Sequence, residues 1–280
     1  MHRILPPVLP PRRLQRTPLL TSRCLLLTLA AGLFTACVGP FHSPAADDAQ
    51  AARRMASYRT DFEHYRGTEA SLPPGMFVTA DGPSGETGGD SFDPFTGVHE
   101  YSPNSAYSFD GFGAFTADRS RYSFGIREHG PVDMQNARLY LEYSNTTVFP
   151  IIGFEVSYEV QVWYLGQRDN QIRLKYNTDS SGFGDLADIA ATRNPMGDYT
   201  ADGLPLDGTR SVNSVRVRTS FMLEELQQTD GSSAGIPTLQ PGAVGYFRWQ
   251  FSNAEHDDGG IRSGLALDRI RITPILAGEQ

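Results

Sequence analysis

Apolar and polar residues alternate along much of the chain. The longest run is GFEVSYEVQVWYLG, Gly153 to Gly166. Phe154, Val156, Tyr158, Val160, Val162 and Tyr164 fall on one face; Glu155, Ser157, Glu159, Gln161 and Trp163 fall on the other. A period of two held this long is a strand pattern that a helix cannot produce. Ala137–Asn145 repeats it, with Ala137, Leu139, Leu141 and Tyr143 opposite Arg138, Tyr140 and Glu142. Further strands are predicted over Arg121–Glu128, Gln171–Asn177, Ser211–Leu223, Val244–Phe251 and Gly264–Thr273. Segments rich in Gly, Pro, Asn and Asp separate them, and Leu72–Phe92 reads as a turn-rich loop. Eight or nine strands, each with one apolar and one polar face, predict an all-β fold of two packed antiparallel sheets. Long strands and long loops favour a jelly-roll sandwich over an immunoglobulin one. The chain contains no internal repeat.

The N-terminal segment breaks this pattern. Residues 1–23 carry five arginines and no acid, and CLLLTLAAGLF (Cys24–Phe34) is an apolar run of 11 residues before TAC ends at Cys37. A basic region, a short apolar core and small residues describe a secretory signal. The run falls short of the ~20 residues that cross a bilayer. LFTAC resembles the bacterial lipobox, in which the Cys is acylated and becomes the first mature residue; Phe34 stands where Leu is usual. The resemblance implies a signal over residues 1–36 and lipidation at Cys37. With Val38 rather than Asp next, it implies sorting to the outer membrane of a Gram-negative cell. Residues 37–57 read as a tether, with a short helix over Asp47–Met55 as an option, and residues 58–280 as one domain. The two cysteines are Cys24 and Cys37, so the domain contains no disulfide.

Charge narrows the partners. The whole chain carries −8, and the chain from Cys37 onward carries −13 once the five leader arginines are gone. That excludes the basic footprint nucleic acids require, and leaves neutral glycans and divalent cations.

Candidate chemistry is sparse. WQFSNAEHDDGGIRSGLALDRIRI (Trp249–Ile272) sets Glu255, His256, Asp257 and Asp258 in a loop between two strands, with Asp268 on the second. Carboxylates and converging carbonyls suit calcium, and Gly259 and Gly260 let the backbone turn, so Asp257, Asp258 and Asp268 form a candidate structural calcium site; a plain polar turn is the alternative. Glu155 and Glu159 share a strand face, four residues and hence ~13 Å apart, too far for a glycosidase pair. The strands offer no obvious second acid to either. There is no HExxH. Trp249 shares a face with Phe247 and Phe251 and belongs to the core, whereas Trp163 and Tyr140 lie on polar faces as candidate stacking platforms for a sugar, with core burial at a sheet edge as the other reading of Trp163. Glu159 and Arg218 complete the candidate ligand set. The alternative for these faces is a solvated surface with cross-strand ion pairs among Glu155, Glu159, Arg173, Lys175, Arg216 and Arg218. Asn145 begins an NTT sequon that, in a bacterium, makes a turn.

The stretch YSNTTVFPIIGFEVSYEVQVW, the strand LQPGAVGYFRWQF and the closing DDGGIRSGLALDRIRI resemble bacterial extracellular jelly-roll modules of carbohydrate-binding type, attached to anchors or to larger secreted proteins. The resemblance spans Tyr58–Pro274. Such modules end in an aspartate-rich turn and an AIDD-like strand; here the last strand reads ALDR, with Arg269 in place of the second acid. The resemblance implies binding or adhesion and carries no common enzymatic activity. The expectation is therefore a membrane-anchored, non-catalytic module that binds a glycan or another envelope component. A polysaccharide hydrolase or lyase on the same fold, and a structural subunit of an envelope complex, are the alternatives.

Overall fold

A computed structural model describes residues 44–81, 94–103, 111–127, 135–178, 186–196, 203–226, 235–254 and 260–278. Helix α1 (Pro44–Ala56) comes first, followed by β1 (Tyr58–Thr60), β2 (Met76–Asp81), β3 (Phe95–Glu100), β4 (Gly111–Thr116), β5 (Ser123–Arg127), β6 (Gln135–Ser144) and β7 (Ile151–Leu165). Then come β8 (Asn170–Asn177), β9 (Ala187–Arg193), β10 (Leu204–Pro205), β11 (Ser214–Met222), β12 (Val244–Asn253) and β13 (Gly264–Leu276).

The strands form two sheets. The larger has eight strands in the order β10-β7-β13-β5-β4-β3, with β11 on the β10 side of β7 and β1 pairing β13. The smaller runs β2-β6-β12-β8-β9. The pairs are antiparallel except β3 with β4, which is parallel. Consecutive long strands alternate between sheets: β6, β8 and β12 belong to the smaller, β7, β11 and β13 to the larger. This is the all-β two-sheet sandwich the alternation predicts. One neighbour relation differs from expectation. β7 and β8 lie in different sheets, so Arg173 and Lys175 on β8 pair with Asp188 of β9, at 2.6 and 3.1 Å, rather than with the β7 glutamates. The turn-rich segment also contains β2, which the scattered Gly and Pro conceal.

The core is the alternation made solid. Inward residues of the two sheets meet edge to face: Phe154 on Phe247 with centroids 5.0 Å apart, Tyr158 on Trp249 at 6.1 Å. Trp249 is fully buried, as its face predicts. Each such ring removes ~150–250 Å² from water, and an edge-to-face pair adds ~0.5–1.5 kcal/mol. The sequon residue Asn145 is buried, donating through Nδ2 to the carbonyls of Phe149 and Leu239, and it serves as a turn.

Residues 44–56, inside the segment read as tether, are helix α1, seated against β13 with Ala49 and Ala56 buried. Arg53 reaches Glu155 at 2.8 Å, and the Tyr143 hydroxyl donates to the Ala56 carbonyl at 2.7 Å. The small alanines let the helix approach closely, and Arg53 and Arg54 in its last turn suit the negative end of its dipole. Residues 1–43, which include the expected signal and Cys37, lie outside the described residues. Among the described residues no helix is long and apolar enough to cross a membrane.

Candidate functional site

The outward face of the larger sheet is organised by one irregularity. β13 reads Leu265, Leu267, then Ile270, Ile272 as its inward residues, so the apolar parity changes between Leu267 and Ile270. A regular strand would turn the second pair outward, since a one-residue slip flips every side chain. A bulge prevents this: Asp268 pairs with Glu159 and Arg271 with Ser157, three residues against two. Arg269 absorbs the extra length at φ 50°, a left-handed conformation uncommon for a residue with a Cβ. The bulge keeps four apolar side chains in the core and leaves Asp268, Arg269 and Arg271 on one outward surface.

Around the bulge the polar groups lock together. The Trp163 indole donates to Gln161 Oε1 at 2.9 Å, which fixes the amide so that its Nε2 donates to Glu159 Oε1 at 2.9 Å and Asp268 Oδ2 at 3.4 Å. Arg269 donates from Nη1 to Glu159 Oε2 at 3.0 Å and from its backbone nitrogen to Asp268 Oδ1 at 2.7 Å, with Nε 3.6 Å from Oδ2. Glu159, Gln161 and Asp268 are buried. Burial pushes the Asp268 carboxyl up to about 6; the Arg269 backbone N–H and guanidinium pull against this shift, and Glu159 adds to it.

Beside the locked group, four hydrogen-bonded strands place Arg218, Ser157, Arg271 and Arg59 directly opposite one another, on β11, β7, β13 and β1 in turn. Two clefts flank the row and share Arg271. One, of about 380 Å³, is lined by Arg59, Asp61, Arg121, Arg216, Asp268 and Arg269. The other, of about 510 Å³, is lined by Glu155, Ser157, Arg218, Ser220 and Thr273.

Of the sequence candidates, Glu159 and Asp268 are brought together, and Arg218 lies two strands from Arg271 in the adjoining row. The acid opposite Glu159 that the strands did not offer is Asp268. Trp163 is 1% exposed: Phe115 stacks on it at 5.4 Å, and Gly208 packs so closely that a Cβ there would lie 2.4 Å from the indole nitrogen. It presents no face to a sugar, and its indole N–H orients Gln161 instead. Tyr140 is on the other sheet, 1% exposed and stacked on Phe77 at 4.8 Å, and is likewise no platform. Strand alternation reports the face of a sheet and not what covers it, and of the two readings of Trp163 the structure bears out burial. Asp257 and Asp258 lie outside the described residues. Asp268 does not fit a calcium site: both of its oxygens already face N–H donors and a guanidinium. Sequence reasoning missed Arg59, Arg271, Ser157 and Gln161. The parity change in LALDRIRI was the signal that would have found the bulge.

No protein-family model matches the chain, and no curated protein matches it. Solved structures are similar at low identity. The K3 cleaved adhesin domain of Lys-gingipain from Porphyromonas gingivalis is 15% identical with a TM-score of 0.39, over 77% of this chain and 98% of that one. The module TmCBM61, in complex with β-1,4-galactotriose, is 10% identical with a TM-score of 0.32, over 77% and 94%. A putative β-glucanase from Mycobacterium abscessus is 15% identical with a TM-score of 0.36, over 77% and 98%. At these scores, ligand and activity must be argued from the site itself.

Proposed function

We propose that the protein is a lipid-anchored, non-catalytic β-sandwich module that binds a glycan of the cell envelope on the outward face of its larger sheet. The observation that carries this reading is the row Arg218–Ser157–Arg271–Arg59, fixed by strand register between two clefts. Sugar hydroxyls need both donors and acceptors. Guanidinium groups supply donors in a fixed fork, Ser157 supplies both, and Glu155 and Asp61 at the cleft edges supply acceptors. The anchor follows from the lipobox at Cys37, whose acyl chains would hold the module at the outer membrane. Cys37→Ser is expected to move the protein from the membrane to the soluble fraction; retention in the membrane would remove the anchor.

A second reading as a polysaccharide hydrolase or lyase draws on Asp268, an acid held near pH 6 opposite a second carboxylate. Binding is favoured over it because both Glu159 oxygens are occupied and Asp268 is buried, so neither is poised to meet a glycosidic oxygen. The test is the full chain in detergent against a polysaccharide panel that includes peptidoglycan, with calcium or with EDTA. Bound polysaccharide without new reducing or unsaturated ends is expected. New ends would make it an enzyme. Absence of both would move it to a structural role in an envelope complex. Loss of binding with EDTA would give the acidic loop its calcium.

A further inference from the structure

The arginine row is built against its own stability. Arg59 and Arg271 are directly opposite on neighbouring strands, where like charges repel and destabilise. The neighbouring acids do not relieve them. Glu155 is held by Arg53 at 2.8 Å, and Glu159 by Arg269 at 3.0 Å. Arg216 donates to Ser157 Oγ at 2.9 Å, which adds a further cation beside the row. Among the described residues, Arg59, Arg218 and Arg271 have no ion-pair partner within 4.0 Å, and all three are exposed. Asp61 and Glu63 line the same cleft as Arg59 and Arg271 and, among the described residues, make no ion pair with either within 4.0 Å. A chain with net charge −8 thus concentrates four arginines, Arg59, Arg216, Arg218 and Arg271, on one patch of sheet. Neighbouring strands lie ~4.8 Å apart, so the guanidinium stems are spaced evenly across the sheet, with Ser157 between two of them.

We propose that this row is a subsite for the anionic groups, carboxylate or sulfate, of an acidic glycan. The proposal rests on the glycan reading above and sharpens it to a charge class. One anionic group sits between Arg59 and Arg271, where it cancels the repulsion, and a second sits between Arg271 and Arg218 above Ser157. The planar guanidinium fork matches both oxyanions with paired, charge-assisted hydrogen bonds. Nucleic acid fits poorly: the net charge repels a long, densely charged strand while the row spans only four β-strands.

The test uses the full chain and Arg271→Gln, Arg59→Gln and Arg218→Gln variants. The probes are polygalacturonate and its methyl ester, dextran sulfate and dextran, and oligo-dT. Wild type is expected to bind polygalacturonate, dextran sulfate or both at least tenfold more tightly than the neutral partner; which of the two binds tells carboxylate from sulfate. Arg271→Gln is expected to lose about tenfold in that affinity while Tm stays unchanged or rises by ~1–3 °C, because the repulsion at Arg59 is relieved. Arg218→Gln is expected to lose less. Equal affinity for charged and neutral partners would overturn the charge class and leave glycan binding standing. No binding to any polysaccharide would overturn both. Acidic-glycan binding that none of the three variants weakens would overturn the site. Equal, arginine-dependent binding of oligo-dT would overturn the glycan in favour of a general polyanion surface.

Discussion

Asp268 shows how one buried group can make the site respond to pH. Its carboxyl, ordinarily near 3.8, is pushed up to about 6 by burial. The charged groups facing it are Glu159 on β7, Arg269 on its own strand, Asp61 beyond β1 and Arg121 beside β5. Between those two values the folded chain holds a proton that the unfolded chain has released. The folded state therefore binds more protons, and stability falls as pH rises through this window. The contribution is present in full below about pH 4 and gone above about pH 6, and a shift of this size corresponds to at most about 3 kcal/mol. Asp268→Asn keeps an acceptor for the Arg269 N–H and removes the titration. Denaturant melts between pH 4 and pH 8 should show wild-type stability declining relative to the variant by ~1–3 kcal/mol. Parallel curves for the two proteins would show that Asp268 does not carry this proton.

At the scale of elements, legibility depended on whether a pattern was carried by one strand or by its neighbours. The strands β6, β7, β8, β12 and β13 were legible because each is long and buries one face. The short β3 and β4 were not. β4 is buried at every position, so no alternation marks it. The bulge was legible in principle, since Leu267 and Ile270 cannot both face inward on a regular strand. Which strand lies beside which was not legible, because register is set by contacts between distant segments; hence the acid opposite Glu159 went unseen, and the sequence did not decide between an open and a covered Trp163. Helix α1 was visible only as an option, because its apolar side is mostly alanine. Its packing has a measurable consequence. A chain beginning at Tyr58 loses the burial of Ala49 and Ala56, the acceptor for the Tyr143 hydroxyl and the partner of Glu155. It is expected to keep its β signature but lose about 2–3 kcal/mol in urea unfolding, from the apolar burial, the hydroxyl bond and the ion pair lost together. Equal midpoints for the two chains would make α1 a passenger on the sandwich.

For the whole molecule, charge acts at two ranges of opposite sign. Far from the surface an acidic polymer meets a net charge of −8, or −13 for the chain from Cys37 onward. At contact it meets Arg59, Arg271 and Arg218. Salt separates the two. The screening length is ~30 Å at 0.01 M, so the whole acidic protein is felt, and ~8 Å at 0.15 M, so that only the row is. Affinity for an acidic glycan should therefore rise between 0.01 and 0.15 M NaCl and fall toward 1 M, where even contact pairs are screened to ~3 Å. This inverts the behaviour of basic polyanion-binding proteins, whose affinity falls steadily with salt. Polygalacturonate titrations at the three concentrations decide it. A maximum near 0.15 M that is flattened in Arg271→Gln is the expected result. A steady fall from the lowest salt would mean that the local field of the arginines already dominates at long range, and that the acidic remainder of the molecule does not shape the encounter.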